Sequence, residues 1–184
     1  MTEIAIIIPS RLSAKRLPNK PLKTINNKEM ILHVYDVAKE ANIGEVFVAT
    51  PDKEIVKVVK DHGGKAFFTN SKHETGTDRI FEVFEKELKK KPKLIINLQG
   101  DMPNLNPLAI KDLVNHMKKN TCDIGTLASS LLTDEEKKDD NVVKVNTEKY
   151  INKKEFSKAI DFFRIIPSSI TKPIYHHIGI YAFT

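Results

Sequence analysis

Short apolar, β-branched runs alternate with segments of helical periodicity over the first 130 or so positions. Ile4 to Ile8 is such a run and ends at Pro9, the pattern of a strand buried on both faces. A loop rich in Pro and Lys follows to about Asn27. Ile31, Val34, Tyr35 and Ala38 then recur at helical spacing, and Gly44 is placed to close that helix. Val46 to Ala49 reads as a second strand. Ile55, Val58 and Val59 mark a second helix stopped by Gly63-Gly64, and Ala66 to Phe68 a short third strand. After the polar loop Thr69 to Thr77, a third helix carries Ile80, Val83, Phe84 and Leu88. Lys89 to Lys91 sit at its end, where the helix dipole favours cations. Leu94 to Leu98 is a strand, Ile110, Leu113, Val114 and Met117 define a helix, and Ile124 to Ala128 is another strand.

This alternation predicts βαβ units, hence an α/β, Rossmann-like fold with a mostly parallel central sheet flanked by helices. The pattern weakens after Leu131. Asp134 to Asp140 reads as a solvated charged loop. Val142 to Val145 and Ile178 to Ala182 read as strands with an irregular region between them. The expected organisation is a single domain over 1–184, with a core to about 130 and a small, incomplete subdomain from about 131 laid over the sheet end. The end at Thr184, directly after a strand-like run, suggests a fragment of a longer chain.

Composition adds less than charge placement. Hydrophobic residues make up 40% and charged residues 29%, a globular profile. The lone Cys122 has no partner for an internal disulfide and reads as a small buried side chain. No N-terminal run suits a signal peptide, and no apolar stretch reaches the roughly 20 residues of a membrane span, so the cytoplasm is the expected compartment. The net charge is +6, and positions 4–28 alone carry Arg11, Lys15, Arg16, Lys20, Lys23 and Lys28 with no acid. The rest of the chain is balanced. A single cationic loop suits a small polyanion better than a nucleic acid, whose binders spread their charge over a face.

In an open α/β sheet, ligands sit beyond the carboxyl ends of the strands. The loop Pro9 to Pro21 follows the first strand and lacks glycine, so it is neither a Walker loop nor a dinucleotide fingerprint. Its prolines, Pro9, Pro18 and Pro21, stiffen a set of guanidinium and ammonium groups that can hold a triphosphate. Asn97-Leu-Gln-Gly-Asp101 ends another strand, and Asp101 there is suited to Mg²⁺ against phosphate oxygens, with Gly100 allowing a tight turn. In His73 to Arg79, Thr77 or Asp78 caps the following helix, or else Gly76 lets backbone approach a base while Arg79 faces the nucleotide. His176 and His177, as strand neighbours, point to opposite faces and cannot share a metal. His177, Gly179 and Tyr181 share a face suited to a hydroxylated ligand.

Four ordered motifs carry a resemblance. Ile7 to Leu22 reads I-I-P-S-R-L-S-A-K-R-L-P-N-K-P-L, His73 to Arg79 reads H-E-T-G-T-D-R, Asn97 to Pro103 reads N-L-Q-G-D-M-P, and His177 to Tyr181 reads H-I-G-I-Y. Together they resemble the 3-deoxy-manno-octulosonate cytidylyltransferases, the CMP-Kdo synthetases, over the whole chain. The resemblance implies a Rossmann-like nucleotidyltransferase fold whose core to about 130 binds the nucleotide, and a reaction in which CTP and Kdo give CMP-Kdo and diphosphate with Mg²⁺, for lipopolysaccharide synthesis. It implies that Pro9, Ser10, Arg11, Arg16, Lys20, Thr75, Gly76, Arg79 and Gln99 contact the nucleotide. Arg11, Arg16 and Lys20 would neutralise phosphates, Asp101 would hold Mg²⁺, and Gln99, His177 and Tyr181 would meet the sugar acid. The full-length form is expected to be a homodimer with no nucleic-acid partner and no membrane insertion.

Three departures from the family pattern stand out. Met102 replaces a usual Glu, Lys158 replaces a usual Arg, and a later segment like D-T-P-x-D-L, with a second metal-binding Asp and dimer contacts, is absent. A sialic-acid type of cytidylyltransferase and an inactive nucleotide-binding fragment are the alternatives. The R-L-P-N-K-P-L string argues against the first.

Overall fold

The computed structural model describes residues 3–13, 17–131, 133–152, 155–171 and 173–184. Arg16, one of the expected phosphate ligands, lies outside the described residues, as does Lys15.

The first strand, β1 (Ile4–Pro9), is buried along its whole length. Its even residues Ile4, Ile6 and Ile8 enter one core, and Ala5 and Ile7 enter another on the opposite face. This is why the sequence shows a continuous apolar run rather than an alternation. The chain then makes a short 3-10 turn at Lys20–Leu22 and a small hairpin, β2 (Thr24–Ile25) with β3 (Lys28–Glu29). Asn26 and Asn27 take the positive φ angles, 50° and 62°, that its two-residue turn demands. That hairpin was expected to be loop.

Helix α1 (Met30–Glu40), β4 (Glu45–Thr50), α2 (Lys53–Asp61), β5 (Ala66–Phe68), α3 (Gly76–Lys86), β6 (Leu94–Asn97), α4 (Pro107–Lys119) and β7 (Ile124–Ser129) follow in βαβ order. Strands β5, β4, β1 and β6 are neighbours in that order and pair in parallel. Helices α1, α2 and α4 cover one face through Ile31, Val34, Ile55, Val59, Ile110 and Leu113. Helix α3 covers the other through Ile80 and Val83. These are the apolar positions that the periodicity marks. Gly44 does not close α1. The left-handed residue after the helix is Asn42, with φ 47°.

The second part of the chain departs further from expectation. The charged run from Asp134 is not a loop but a short helix, α5 (Asp134–Lys138). Thr133 caps it by accepting from Glu136 N, and acids fill its first turn with lysines in its last, which matches the helix dipole. Strand β8 (Lys144–Thr147) pairs with β9 (Ala159–Phe163), an edge strand inside the region expected to be irregular. Lys144 is fully buried and satisfies its ammonium with the carbonyls of Asp139 and Arg164, the latter at 2.7 Å. It thereby ties the end of α5 to the end of β9.

The last strand, β10 (Ile174–Phe183), starts four residues earlier than its apolar part suggests and joins the two halves. One edge of β10 pairs antiparallel with β8 through Ile174–His176 and with β6 through Tyr181–Phe183. Its other edge pairs antiparallel with β7. The register on β7 slips between Ile178 and Tyr181, and the Thr126 hydroxyl holds this bulge. Thr126 Oγ1 donates to Ile180 O at 2.6 Å and, its proton spent there, accepts from His177 Nε2 at 3.0 Å.

Helix α3 fixes the loop ahead of it. Its N-cap is Thr75, earlier than expected, in a capping box with Asp78: Thr75 Oγ1 accepts from Asp78 N and the Asp78 carboxylate accepts from Thr75 N. One turn further on, the carboxylate of Glu82 accepts from Asn70 N at 2.9 Å, His73 Nε2 at 2.6 Å and Lys86 Nζ at 3.0 Å. Burial pushes this carboxyl up, but the three donors outweigh burial and hold it at about 2. At the helix end, Lys91 donates to Glu85 O at 2.8 Å and to Phe84 O, as expected of a cation at a helix C-terminus.

Two outcomes follow. Thr126→Val leaves Ile180 O without its donor and should lower stability by about 1–3 kcal/mol, read from the urea midpoint at constant slope. An unchanged midpoint would show that the hydroxyl does not hold the bulge. For Glu82 the folded carboxyl is depressed, so its contribution is present above the ordinary value of 4.5 and lost as pH falls towards 2. Glu82→Gln should therefore be less stable than wild type by about 2 kcal/mol at pH 7, with the gap narrowing below about pH 5 and closing towards pH 2. A gap independent of pH would contradict that origin.

Candidate active site

Three loops meet at the carboxyl ends of β1 and β6 and the N-terminus of α3. Two glycines let them approach. A Cβ on Gly76 would lie 3.0 Å from Pro9 Cγ, and one on Gly100 would lie 2.9 Å from Pro9 O. Gly100 is thus required by close approach of backbone and not, as expected from its motif, by the turn it makes. The result is an open cleft of about 320 Å³. Pro9, Ser10, Arg11, Lys20, Thr75, Gly76, Arg79, Gln99 and Asp101 all line it. Every described residue expected to contact the nucleotide is therefore in one place.

The described ends of the cationic loop are both anchored. Asn19, with φ 57°, turns the chain into the 3-10 turn, and Pro21 is buried within it, so Lys20 is presented from a fixed base. Nearer β1, Leu12 N donates to the Asp52 carboxylate at 2.8 Å. Asp52 is the N-cap residue of α2, yet its side chain makes no cap bond and serves the loop instead. Ser10 N bonds Ala49 O at 2.9 Å on the neighbouring strand.

The charges in the cleft are paired across it. Lys20 Nζ lies 2.8 Å from Asp101 Oδ2, and both side chains reach solvent. The expected phosphate ligand and the expected metal ligand thus hold each other. Arg79 is 2% exposed and donates to Thr69 Oγ1 at 2.5 Å and Asn70 O at 3.0 Å. Burial lowers its pKa, and the nearby Arg11 guanidinium lowers it further. Arg79 therefore has two structural parts. It braces the loop and it forms a wall of the cleft. Ser10 Oγ is buried without a partner among the described residues, which leaves a polar atom at the cleft for a ligand to satisfy.

Gln99 connects this cleft to β10. Its Nε2 donates to Asn97 Oδ1 at 3.1 Å, and Gly179 faces its side chain, with Met102 on the same glycine. His177 and Tyr181 do not line the cleft; they lie past this junction on β10. Their rings are 5.5 Å apart, with Phe162 edge-on to His177 at 4.9 Å. Burial, with His176 nearby, pushes the His177 imidazole down, and burial pushes the Tyr181 phenol up, so both are neutral near pH 7. Lys158 is also outside the cleft lining.

Sequence reasoning missed several parts. His73 and Glu74 line the cleft, although His73 was read only as a letter of a motif. Asp52 and Glu82 anchor the two loops. An Asp at a helix start beyond a strand end was a signal for the first. Glu82 gave none, since its partners lie 9 and 12 residues away. No helix of the described residues is long and apolar enough to cross a membrane.

Known proteins share this arrangement. The cytidylyltransferase family profile matches residues 5–184. A 3-deoxy-manno-octulosonate cytidylyltransferase of Brucella ovis is 39% identical over 178 residues, covering 96% of this chain and 70% of its own. One of Rhodospirillum centenum is 38% identical over 179 residues, covering 97% of this chain and 69% of its own. A solved CMP:2-keto-3-deoxy-manno-octonic acid synthetase complexed with CTP superposes with a TM-score of 0.83 at 36% identity, over 99% of this chain and 74% of its own. By the family profile, the identity of these relatives and the shared fold, the chain belongs to the 3-deoxy-manno-octulosonate cytidylyltransferase family of nucleotidyltransferases.

Proposed function

We propose that this chain transfers CMP from CTP to Kdo and releases diphosphate, a step that feeds lipopolysaccharide synthesis in the cytoplasm. The observation that carries the reading is the meeting of Arg11, Lys20, Arg79 and Asp101 in the lining of one cleft, with Lys20 paired to Asp101, in a chain of this family. The anomeric oxygen of Kdo forms a bond to the α-phosphorus, and the bond from that phosphorus to the diphosphate oxygen breaks. Negative charge builds on the departing diphosphate. Arg11 and Lys20 face that charge, and Arg16 of the same loop is assigned with them. Little covalent work falls to the protein, so positioning and electrostatics supply the acceleration.

A triphosphate competes with Asp101 for Lys20. On binding, the Lys20 ammonium turns to the phosphates and the Asp101 carboxylate is released. That carboxylate already holds a cation, the Lys20 ammonium, at 2.8 Å, and its place fits Mg²⁺. Among the described residues no cluster of three or more metal-ligating side chains exists, which suits an ion held by one carboxylate and by phosphate oxygens. Mg²⁺ bound there would supply Lewis-acid polarisation of the α-phosphate. Ser10 Oγ donates to a ligand oxygen, Thr75, Gly76 and Gln99 border the nucleoside, and His177 and Tyr181 border the sugar acid beyond Gln99.

Diphosphate release from CTP and Mg²⁺ should depend on Kdo and be absent with sialic acid or with no acceptor. Release with sialic acid alone would move the chain to another acceptor, and release with neither acid would contradict transfer by this chain. Lys20→Met should raise KM for CTP by about ten- to hundred-fold, the loss of one charge-assisted contact to phosphate. Asp101→Asn should abolish turnover and leave CTP binding without Mg²⁺ within about three-fold of wild type. Retained Mg²⁺-dependent turnover in that variant would remove Asp101 as a ligand.

A further inference from the structure

The cleft has two electrically different ends. Arg11, Lys20 and Asp101 form a charged end with exposed cations. The other end is formed by His73, Glu74, Thr75 and Gly76, and none of these four described lining residues is a lysine or arginine. Glu74 adds a carboxylate there, and Glu82 stands behind His73 with a second. Phosphate is disfavoured at such an end, and a group that donates hydrogen bonds is favoured.

Glu82 is the pivot of this end. Its carboxylate takes both Asn70 N–H and His73 Nε2, at 2.9 and 2.6 Å, so one side chain fixes two points of the loop. Its side chain is 14% exposed and that of His73 23%, so solvent competes weakly for the contact. From behind, Arg79 holds the same loop through Thr69 Oγ1 and Asn70 O. An ionised carboxylate only accepts, and Glu82 stays ionised down to about pH 2. His73 Nε2 must therefore carry the proton. In the neutral ring, Nδ1 is then an acceptor, and it is the remaining polar atom of a side chain that lines the cleft.

We propose that Glu82 is a positioning residue for base recognition: it locks the His73 tautomer so that Nδ1 accepts from an exocyclic amine of the base, favouring cytosine over uracil. This rests on the reading of the cleft as a CTP site. Cytosine offers an amino donor where uracil offers a carbonyl oxygen, and an acceptor wall distinguishes the two. Glu82 touches no ligand and acts only through His73 and the loop.

Calorimetric titration of wild type, Glu82→Gln, His73→Leu and the double variant with CTP and with UTP tests this, with thermal unfolding as the control for folding. Each single variant should weaken CTP binding about ten-fold and change UTP binding by less than about two-fold. The double variant should bind CTP no more weakly than His73→Leu, because both substitutions remove one pathway. Equal weakening towards both nucleotides, additive losses, or unchanged CTP affinity in the single variants would overturn the proposal. Where Glu82→Gln fails to fold, His73→Leu alone decides by the same ratio of CTP to UTP. A wild-type chain that binds neither nucleotide would overturn the CTP reading itself, a result distinct from the others.

Discussion

The cleft exists because three backbone segments come closer than side chains would permit. Pro9 and Ser10 leave β1 against Gly100 on one side and Gly76 on the other, at distances where a Cβ would strike Pro9 itself. Everything chemical follows from that contact. It brings the cationic loop, the Asp101 loop and the start of α3 to one point beyond the strand ends. It also buries the Ser10 hydroxyl without a partner. A buried unpaired hydroxyl costs about 1–3 kcal/mol, which a ligand oxygen returns on binding.

Electrostatic balance shapes the same place. Lys20 and Asp101, 81 residues apart in the chain, neutralise each other across the cleft, and Arg11 and Arg79 stand near enough for their like charges to repel. The protein thus gathers cationic charge next to a pair that a triphosphate can open. Anchors outside the cleft keep this charge in position. Asp52 holds the first loop by its backbone, and Glu82 with Arg79 holds the second. The long strand β10 pairs with both β6 and β8 in one sheet, and it sets the His177 and Tyr181 face beside Gln99.

Much of this was legible in the sequence. The strands β1, β4 and β6 and the helices α1 and α4 bury the residues that their periodicity marks, because a continuous apolar run or a helical stripe is a local signal. The cleft residues were legible as types at strand ends. What was not legible depends on distant contacts. The insertion of β10 antiparallel between β6 and β7 is set by pairing across the sheet, not by local pattern. The α5 helix hid in a charge run whose composition looked like a solvated loop, although Thr133 and the order of its charges signalled a cap and a dipole. Thr75, Thr77 and Asp78 are all good capping residues, and only the hydrogen bonds select Thr75 with Asp78 as its reciprocal partner. The engagement of Lys20 with Asp101 changes the reading of both residues, and no spacing in the chain reveals it.

The most direct test of the account is a structure of this chain with CTP and Mg²⁺ bound. The account predicts the triphosphate against Arg11 and Lys20, the base against the loop that carries His73, and Lys20 Nζ moved off Asp101 onto a phosphate oxygen. A nucleotide seated elsewhere, or a Lys20–Asp101 pair still closed beneath a bound triphosphate, would contradict it.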